Sequence, residues 1–463
     1  MRFLCSLFLG LIAAFACNPA TAQNHSGSSV GSPCSCSACM VFSNDAAGRK
    51  AFQKWQSQQN TNTNFNFFNT PRWSSTATNG GGLQQGDPTT LTWSILPDGA
   101  NTPNGIGEGS APSDLVDFLD NIYHGGSSPG GSDYTQRTWW TLMDQTFNRF
   151  SELSGLSYVY EPNDDGVNFV NQGGVLGVRG DVRIAGKTLD GNSGVLAYNF
   201  GPNSGDMVID TSDNFYNTTS NNSLRFRNVF AHEHGHGIGI AHTEPVNGTK
   251  LMEPFINLGF DGVQFDDILS TQRQYGDFFE KNGGNDTTGT AQSLGNVGDG
   301  QTVEIGADAV GLTNSLINSG TDTDFVSIDD NGDTDVLSFS ILANADVSLL
   351  LTPVGPTYQE GPQGGSSSSF NTAALSDLTL ELIDTDGSTV LQLANAGGLG
   401  SAESILENLG PGTYYARVTG DANTIQMYHL SVTANFTAIP EPTSIAFLGL
   451  VSLGLLSRRR RRR

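Results

Sequence analysis

Four of the seven histidines in this 463-residue chain fall in one window, His232-Glu233-His234-Gly235-His236-Gly237-Ile238-Gly239-Ile240-Ala241-His242. On a helix His232 and His236 stand one turn apart on the same face, so both imidazoles reach one metal ion. Gly239, lacking a Cβ, lets the chain turn sharply out of the helix and return His242 as a third ligand. Three nitrogens leave the fourth position of a tetrahedral zinc to water, the arrangement that separates a catalytic site from a structural one. The metal acidifies that water, and Glu233 stands where it can take the proton. His234 points off the ligand face and reads as a bystander. The competing reading is a Gly/His-rich loop that binds metal without chemistry, which would have no use for Glu233.

These residues need a helix beneath them and a sheet beside them. The pattern predicts a helix from Ser223 to Gly239, capped by Ser223, carrying the histidines. Leu91 to Ile95 alternates as a first strand, and Arg137 to Leu153 has apolar residues at helical spacing. Between them, Pro97 to Tyr134 is a Gly/Pro/Ser-rich insertion that would rim the cleft.

The histidine window is the extended zinc signature of the metzincin metallopeptidases, and three further stretches resemble the matrixin branch. Leu251-Met252-Glu253-Pro254 is similar to the turn that sets Met252 beneath the metal. Phe265 to Gly276 resembles the closing helix, with its Asp-Asp-Ile and Gln-x-x-Tyr-Gly landmarks. Asp190-Gly191-Asn192-Ser193-Gly194-Val195-Leu196-Ala197-Tyr198-Asn199-Phe200 is similar to the loop and edge strand before the active-site helix. The resemblance implies a calcium held by Asp190, the carbonyls of Gly191, Ser193 and Val195, and the carboxylates of Asp210 and Asp213, a set of oxygens that suits that ion; an ordinary Asp/Gly turn is the alternative. It also implies that Val195, Leu196 and Ala197 form the edge strand that pairs with an extended peptide substrate. The second, structural zinc of matrixins is not expected, because Tyr198 and Val208 stand where two of its histidines would be. One catalytic zinc and one structural calcium are therefore expected.

A net charge of −24 argues against nucleic acid as a partner, because it repels a polyanion. Residues 1–22 have a basic Arg2, an apolar run and an Ala20-Thr21-Ala22 exit, and read as a signal peptide. Ile439-Pro440-Glu441-Pro442, an apolar run from Ile445 to Leu456 and the arginines 458–463 resemble the PEP-CTERM sorting signal. That resemblance implies an exosortase-type processing enzyme, only transient contact with the membrane, and secretion or display on a Gram-negative cell surface. Cys34, Cys36 and Cys39 form one tight group that either makes a local disulfide with a spare thiol or binds metal. Matrixin zymogens cap their zinc with a propeptide cysteine, so these three are candidates for a latency switch, although the usual Pro-Arg-Cys-Gly context is missing.

By composition the chain divides into the signal peptide (1–22), a propeptide or spacer (23–71) with one helix near Ala46 to Gln58, a catalytic domain (72–280), a strand-rich domain (281–436) and the sorting signal (437–463). The expected fold is an α+β metzincin-like catalytic domain, a twisted sheet plus the active-site helix, followed by an all-β sandwich that resembles the bacterial pre-peptidase C-terminal domain. The function implied is a secreted zinc endopeptidase acting on protein or peptide substrates. The rival is a surface or biofilm-matrix adhesin with a vestigial metal site.

Overall fold

The computed structural model describes residues 38–58, 71–167, 169–170 and 172–437. The signal peptide, Cys34, Cys36 and the sorting signal beyond residue 437 lie outside the described residues.

In chain order the first part of the described chain contains β1 (Cys39–Phe42), α1 (Ala46–Gln58), the small ladders β2–β3 (Ser75–Thr76, Gly80–Gly81) and β5–β6 (Asn101–Thr102, Ala111–Pro112) around β4 (Thr89–Ile95), then α2 (Leu115–His124) and α3 (Thr138–Leu153). β7 (Leu156–Tyr160), β8 (Val182–Lys187), β9 (Val195–Asn199), β10 (Met207–Asp210), α4 (Ser220–Gly237), β11 (Thr243–Glu244) and α5 (Phe265–Tyr275) follow. Six strands form one sheet in the order β1-β9-β10-β8-β4-β7. β4, β7, β8 and β10 run parallel, and β9 is antiparallel to both β10 and β1. Helices cover the parallel strands, so β4 and β8 are buried nearly throughout and do not alternate. α3 buries Trp139, Leu142, Met143, Thr146, Phe147, Phe150 and Leu153, a single stripe at helical spacing that packs against α4.

Three expectations need correction. β9 is not an edge strand, because residues of the expected spacer, Cys39–Phe42, pair along it. The insertion from Pro97 to Tyr134 contains α2, whose Leu115 and Leu119 are fully buried; its Gly/Pro/Ser content hid a short amphipathic helix. Ser223 does not cap α4 in extended geometry: Asn221, Asn222 and Ser223 are all left-handed, and regular helix begins after them.

Twelve strands follow: β12 (Gln292–Val297), β13 (Gln301–Ile305), β14 (Val326–Ile328), β15 (Thr334–Ile341), β16 (Ala345–Pro353), β17 (Thr357–Pro362), β18 (Ser368–Asn371), β19 (Leu378–Ile383), β20 (Val390–Ala394), β21 (Glu403–Leu409), β22 (Gly412–Gly420) and β23 (Gln426–Phe436). Ten of them make two sheets, β12-β15-β22-β19-β20 and β13-β23-β16-β21 with β14 on β23, whose inward residues share one apolar core. The β17–β18 hairpin leaves these sheets and pairs with β11, beside the third histidine. Tyr358 of that hairpin is buried in the apolar core beneath the six-stranded sheet's helices and its hydroxyl donates to Asp266 of α5.

Candidate active site

α4 carries His232, Glu233 and His236 in a stretch where every residue from Asn228 to Gly237 is buried. The end of the helix is closed by two distant side chains: Trp73 Nε1 donates to the Gly237 carbonyl (2.8 Å) and the Tyr275 hydroxyl to that of Ile238 (2.7 Å). These are orphan carbonyls of a helix end, which must find donors. The Gln-x-x-Tyr-Gly landmark thus acts through Tyr275 on the active-site helix. Gly239 then adopts φ +103°, and a Cβ there would lie 2.0 Å from the Pro71 carbonyl oxygen, so the turn tolerates only glycine.

That turn brings His242 back. The three Nε2 atoms lie 3.0–3.1 Å from one another, near the roughly 3.3 Å that tetrahedral bonds of about 2.0 Å to one metal require. Each Nδ1 faces an acceptor: the Leu251 carbonyl for His232 (2.7 Å), the Ile240 carbonyl for His236 (2.8 Å) and Gln363 Oε1 for His242 (3.1 Å). With the Nδ1 protons so directed, three Nε2 lone pairs converge with no proton between them. Such an arrangement suits a cation and little else, and zinc fits the donor set. Burial lowers the pKa of all three rings, that of His236 to about 4, which keeps them in the neutral, ligating form.

Glu233 is fully buried; its Oε1 accepts from the Val41 amide at 2.8 Å, and its Oε2 has no partner. Burial raises its pKa well above the usual carboxylate range, only partly offset by that amide. His234 stays apart from the ligand group. It packs on Phe147 and Phe150, with the Tyr158 hydroxyl 2.6 Å from its Nε2.

Met252 lies beneath the site. A Cβ on Gly235 would meet its sulfur at 2.4 Å, so the glycine between His234 and His236 lets the methionine seat against the helix. Asp267 holds the turn, accepting from the amides of Leu251 (3.0 Å) and Met252 (3.2 Å) and from that of Gln264 at the start of α5 (2.8 Å). The Asp-Asp-Ile landmark therefore ties the methionine turn to the closing helix.

β1 lies on Val195, Leu196 and Ala197 of β9, with Val41 opposite Ala197 and Cys39 opposite Asn199. Phe42 bonds on the other side, its amide to the Pro254 carbonyl (3.1 Å) and its carbonyl from the Ile256 amide (3.0 Å). α1 covers the strand: Phe42 contacts Phe52 edge-on, and Trp55 meets His242 edge-on with ring centroids 6.3 Å apart. Among the described residues the metal-ligating group at the site is the three histidines and does not include Cys39. Burial and the neighbouring Glu233 push the Cys39 thiol up to about 12.

Asp190, Asp210 and Asp213 gather around the loop 190–195. Asp190 accepts from the Val195 amide, Asp210 from Leu189 and Ser212, and Asp213 from Ser193 and Phe215. Burial, opposed in part by the Val195 amide and reinforced by the charges of Asp210 and Asp213, raises Asp190 to about 6. Gly191 and Ser193 are left-handed in this loop, and a Cβ at Gly194 would meet Asp190 Oδ2 at 2.3 Å. Tyr198, in place of a histidine, donates to Glu108 (2.9 Å), which pairs with Lys187 at 2.8 Å. Lys187 also donates to the carbonyls of Pro103 and Gly109, so this network pins the insertion to the sheet.

Three contributors escaped sequence reasoning. Gln363 reaches His242 from the β17–β18 turn, and Asn228 holds the loop after the methionine turn through Asn257, Phe260 and Gly262. Val41 reaches Glu233 from 192 residues away. Only for Asn228, one turn before His232 on a predicted helix, did a local signal exist.

Comparison with protein families matches residues 136–276 to matrixin and residues 438–462 to the PEP-CTERM protein-sorting motif. Among curated proteins nothing matches. Solved structures include two similar chains. One is the pre-peptidase C-terminal domain of a collagenase from Bacillus anthracis (18% identity, 31% of this chain, 94% of that one, TM-score 0.17). The other is PliG, a periplasmic inhibitor of g-type lysozyme from Aeromonas hydrophila (10%, 31%, 99%, 0.17). At those TM-scores neither likeness bears on the fold. The matched segment spans α3 to α5 and holds all three histidines, Glu233 and Met252. The chain thus carries a metzincin peptidase domain of the matrixin type, residues 136–276, and a PEP-CTERM sorting motif, residues 438–462.

Proposed function

We propose that the chain is a secreted, surface-sorted zinc endopeptidase in which His232, His236 and His242 hold the metal and Glu233 is the general base. The observation that carries this reading is the convergence of three Nε2 lone pairs beside a buried carboxylate with one oxygen unpartnered. When bound, zinc supplies a Lewis acid that acidifies water and polarises a carbonyl. Glu233 takes a proton from the attacking water on Oε2 and passes it to the amide nitrogen of the departing chain, which lies within reach of Oε1. The backbones of Val195–Ala197 and Pro254–Ile256 hold the substrate extended between them, fixing the reacting bond against Glu233. Asp190, Asp210 and Asp213, with the carbonyls of Gly191, Ser193 and Val195, hold a structural calcium that relieves the crowding of negative charge in that loop. Cys34, Cys36 and Cys39 belong to a segment that imposes latency, and an exosortase-type enzyme processes the sorting motif at the cell surface.

An adhesin with a vestigial metal site has no need of a buried, half-unpartnered Glu233, since such a group is costly unless it is used. The test is zinc content and casein hydrolysis for the wild type and Glu233→Ala. Zinc in both with hydrolysis in the wild type alone is expected. Zinc without hydrolysis in either, after removal of residues 39–58 by limited proteolysis, would favour the adhesin.

A further inference from the structure

The strand that fills the cleft is held in place from both sides. Besides the bonds of Phe42 to Pro254 and Ile256, the Ser43 amide donates to the Gly194 carbonyl at 2.9 Å and Gly194 returns a bond to the Ser43 hydroxyl at 3.0 Å. Side chains alternate accordingly. Val41 is fully buried in the catalytic core with Leu196, Val229 and Ile256, whereas Met40 and Phe42 face the aromatic cluster under α1. A slip by one residue would reverse every one of these placements, so the register is specified. In that register one amide nitrogen of the chain, that of Val41, lies 2.8 Å from Glu233 Oε1. A general acid–base carboxylate must reach the nitrogen that leaves, and this is the nitrogen it reaches.

We infer that the chain is its own first substrate and hydrolyses the Met40–Val41 peptide bond, with the Val41 side chain seated in the buried apolar core that includes Leu196, Val229 and Ile256. This rests on the endopeptidase reading. The bond between the Met40 carbonyl carbon and the Val41 nitrogen breaks, and the hydroxyl of one water joins that carbon. Glu233 carries the other proton of that water to the Val41 nitrogen, and the proton of the newly formed carboxyl group follows it, leaving a carboxylate on Met40 and an ammonium on Val41. Residues up to Met40 are released. Val41 and Phe42 remain tethered through α1, so the new amino terminus initially stays on its own side of the cleft.

The full chain is prepared with zinc as wild type and as Glu233→Gln. Intact-mass and amino-terminal analysis follow the 40–41 bond over a hundredfold range of protein concentration, with casein hydrolysis measured in parallel. A new terminus at Val41 in the wild type, at a rate independent of concentration, and an uncut Glu233→Gln chain are expected. Hydrogen exchange in the uncut variant gives a readout separate from activity, with slow amides at Val41, Phe42 and Ser43 expected. Rapid exchange at these amides, a first cut at another bond, or a rate proportional to concentration overturns the inference. An uncut wild type that hydrolyses casein also overturns it while leaving the endopeptidase reading intact; failure of both cuts removes that reading as well.

Discussion

Each residue of the site is controlled by a partner that sets its protonation or its direction. On the proposed assignment, Glu233→Ala is expected to keep zinc and lose peptidase activity by about a hundredfold or more, because a general base contributes that much and is not a ligand. Metal analysis beside a peptide assay checks both halves. His242→Ala should lose zinc. Gln363→Ala should weaken zinc by about 10- to 100-fold, as removing the partner of a ligating imidazole does, and a competitive chelator titration measures it. Unchanged affinity would mean that Gln363 merely lies beside His242.

Elements matter here mainly for how they end and what they cover. α4 depends on Tyr275 at its carboxyl end, where the hydroxyl both donates to Ile238 and accepts from the Trp73 amide at 3.2 Å. Tyr275→Phe leaves both groups buried without partners and should cost about 1–3 kcal/mol, read by denaturant unfolding. α1 works in the opposite sense, by covering β1. Phe52 packs on Phe42 and Phe255, and Phe52→Ala removes packing on the order of 3 kcal/mol from the seated state. Hydrolysis of an external peptide is expected to become several-fold faster; an unchanged rate would show that α1 does not hold β1 down.

At the scale of the whole molecule, charge decides stability. Glu280, Asp329 and Asp333 crowd together where the catalytic part meets the following strands, and the carboxylate oxygens of Glu280, Asp333 and Asp335 lie within 4.8 Å of one another. Burial first, reinforced by the repulsion of neighbours including Asp277, Asp286 and Asp330, raises Glu280 to about 9, Asp329 to about 8 and Asp333 to about 7; Arg273 opposes the shift at Asp329, and the Asp329 amide opposes that at Asp333. These folded-state values exceed those of the unfolded chain, near 4. The protonated folded form is therefore favoured at low pH, and its contribution is lost as pH rises through about 7 to 9. In buffer with a chelator, melting temperatures should be higher at pH 5.5 than at pH 8.5; the reverse order would show that the cluster does not govern stability. Calcium should raise the melting temperature of the wild type at neutral pH more than that of Asp213→Asn, because a ligand bound only by the folded state stabilises it. Equal increments would exclude the loop at Asp190, Asp210 and Asp213 as the site responsible.

The sequence by itself determined the local chemistry. His232, His236 and Glu233 are fixed by helical spacing, His242 by the glycine turn, and the methionine turn and α5 by landmarks a few residues long; α3 followed from apolar periodicity, and α1 was legible as a helical stretch. Helical geometry converts such spacing into position without the rest of the chain. Only the tertiary structure decided what meets that chemistry from afar. The placement of β1 on β9, the reach of Gln363 across 121 residues to His242, and the closure of α4 by Trp73 and Tyr275 are contacts between segments distant in the chain. Strand pairing and side-chain capping depend on which surfaces the packed core brings together, and no local pattern at Val41 or Gln363 encodes its partner.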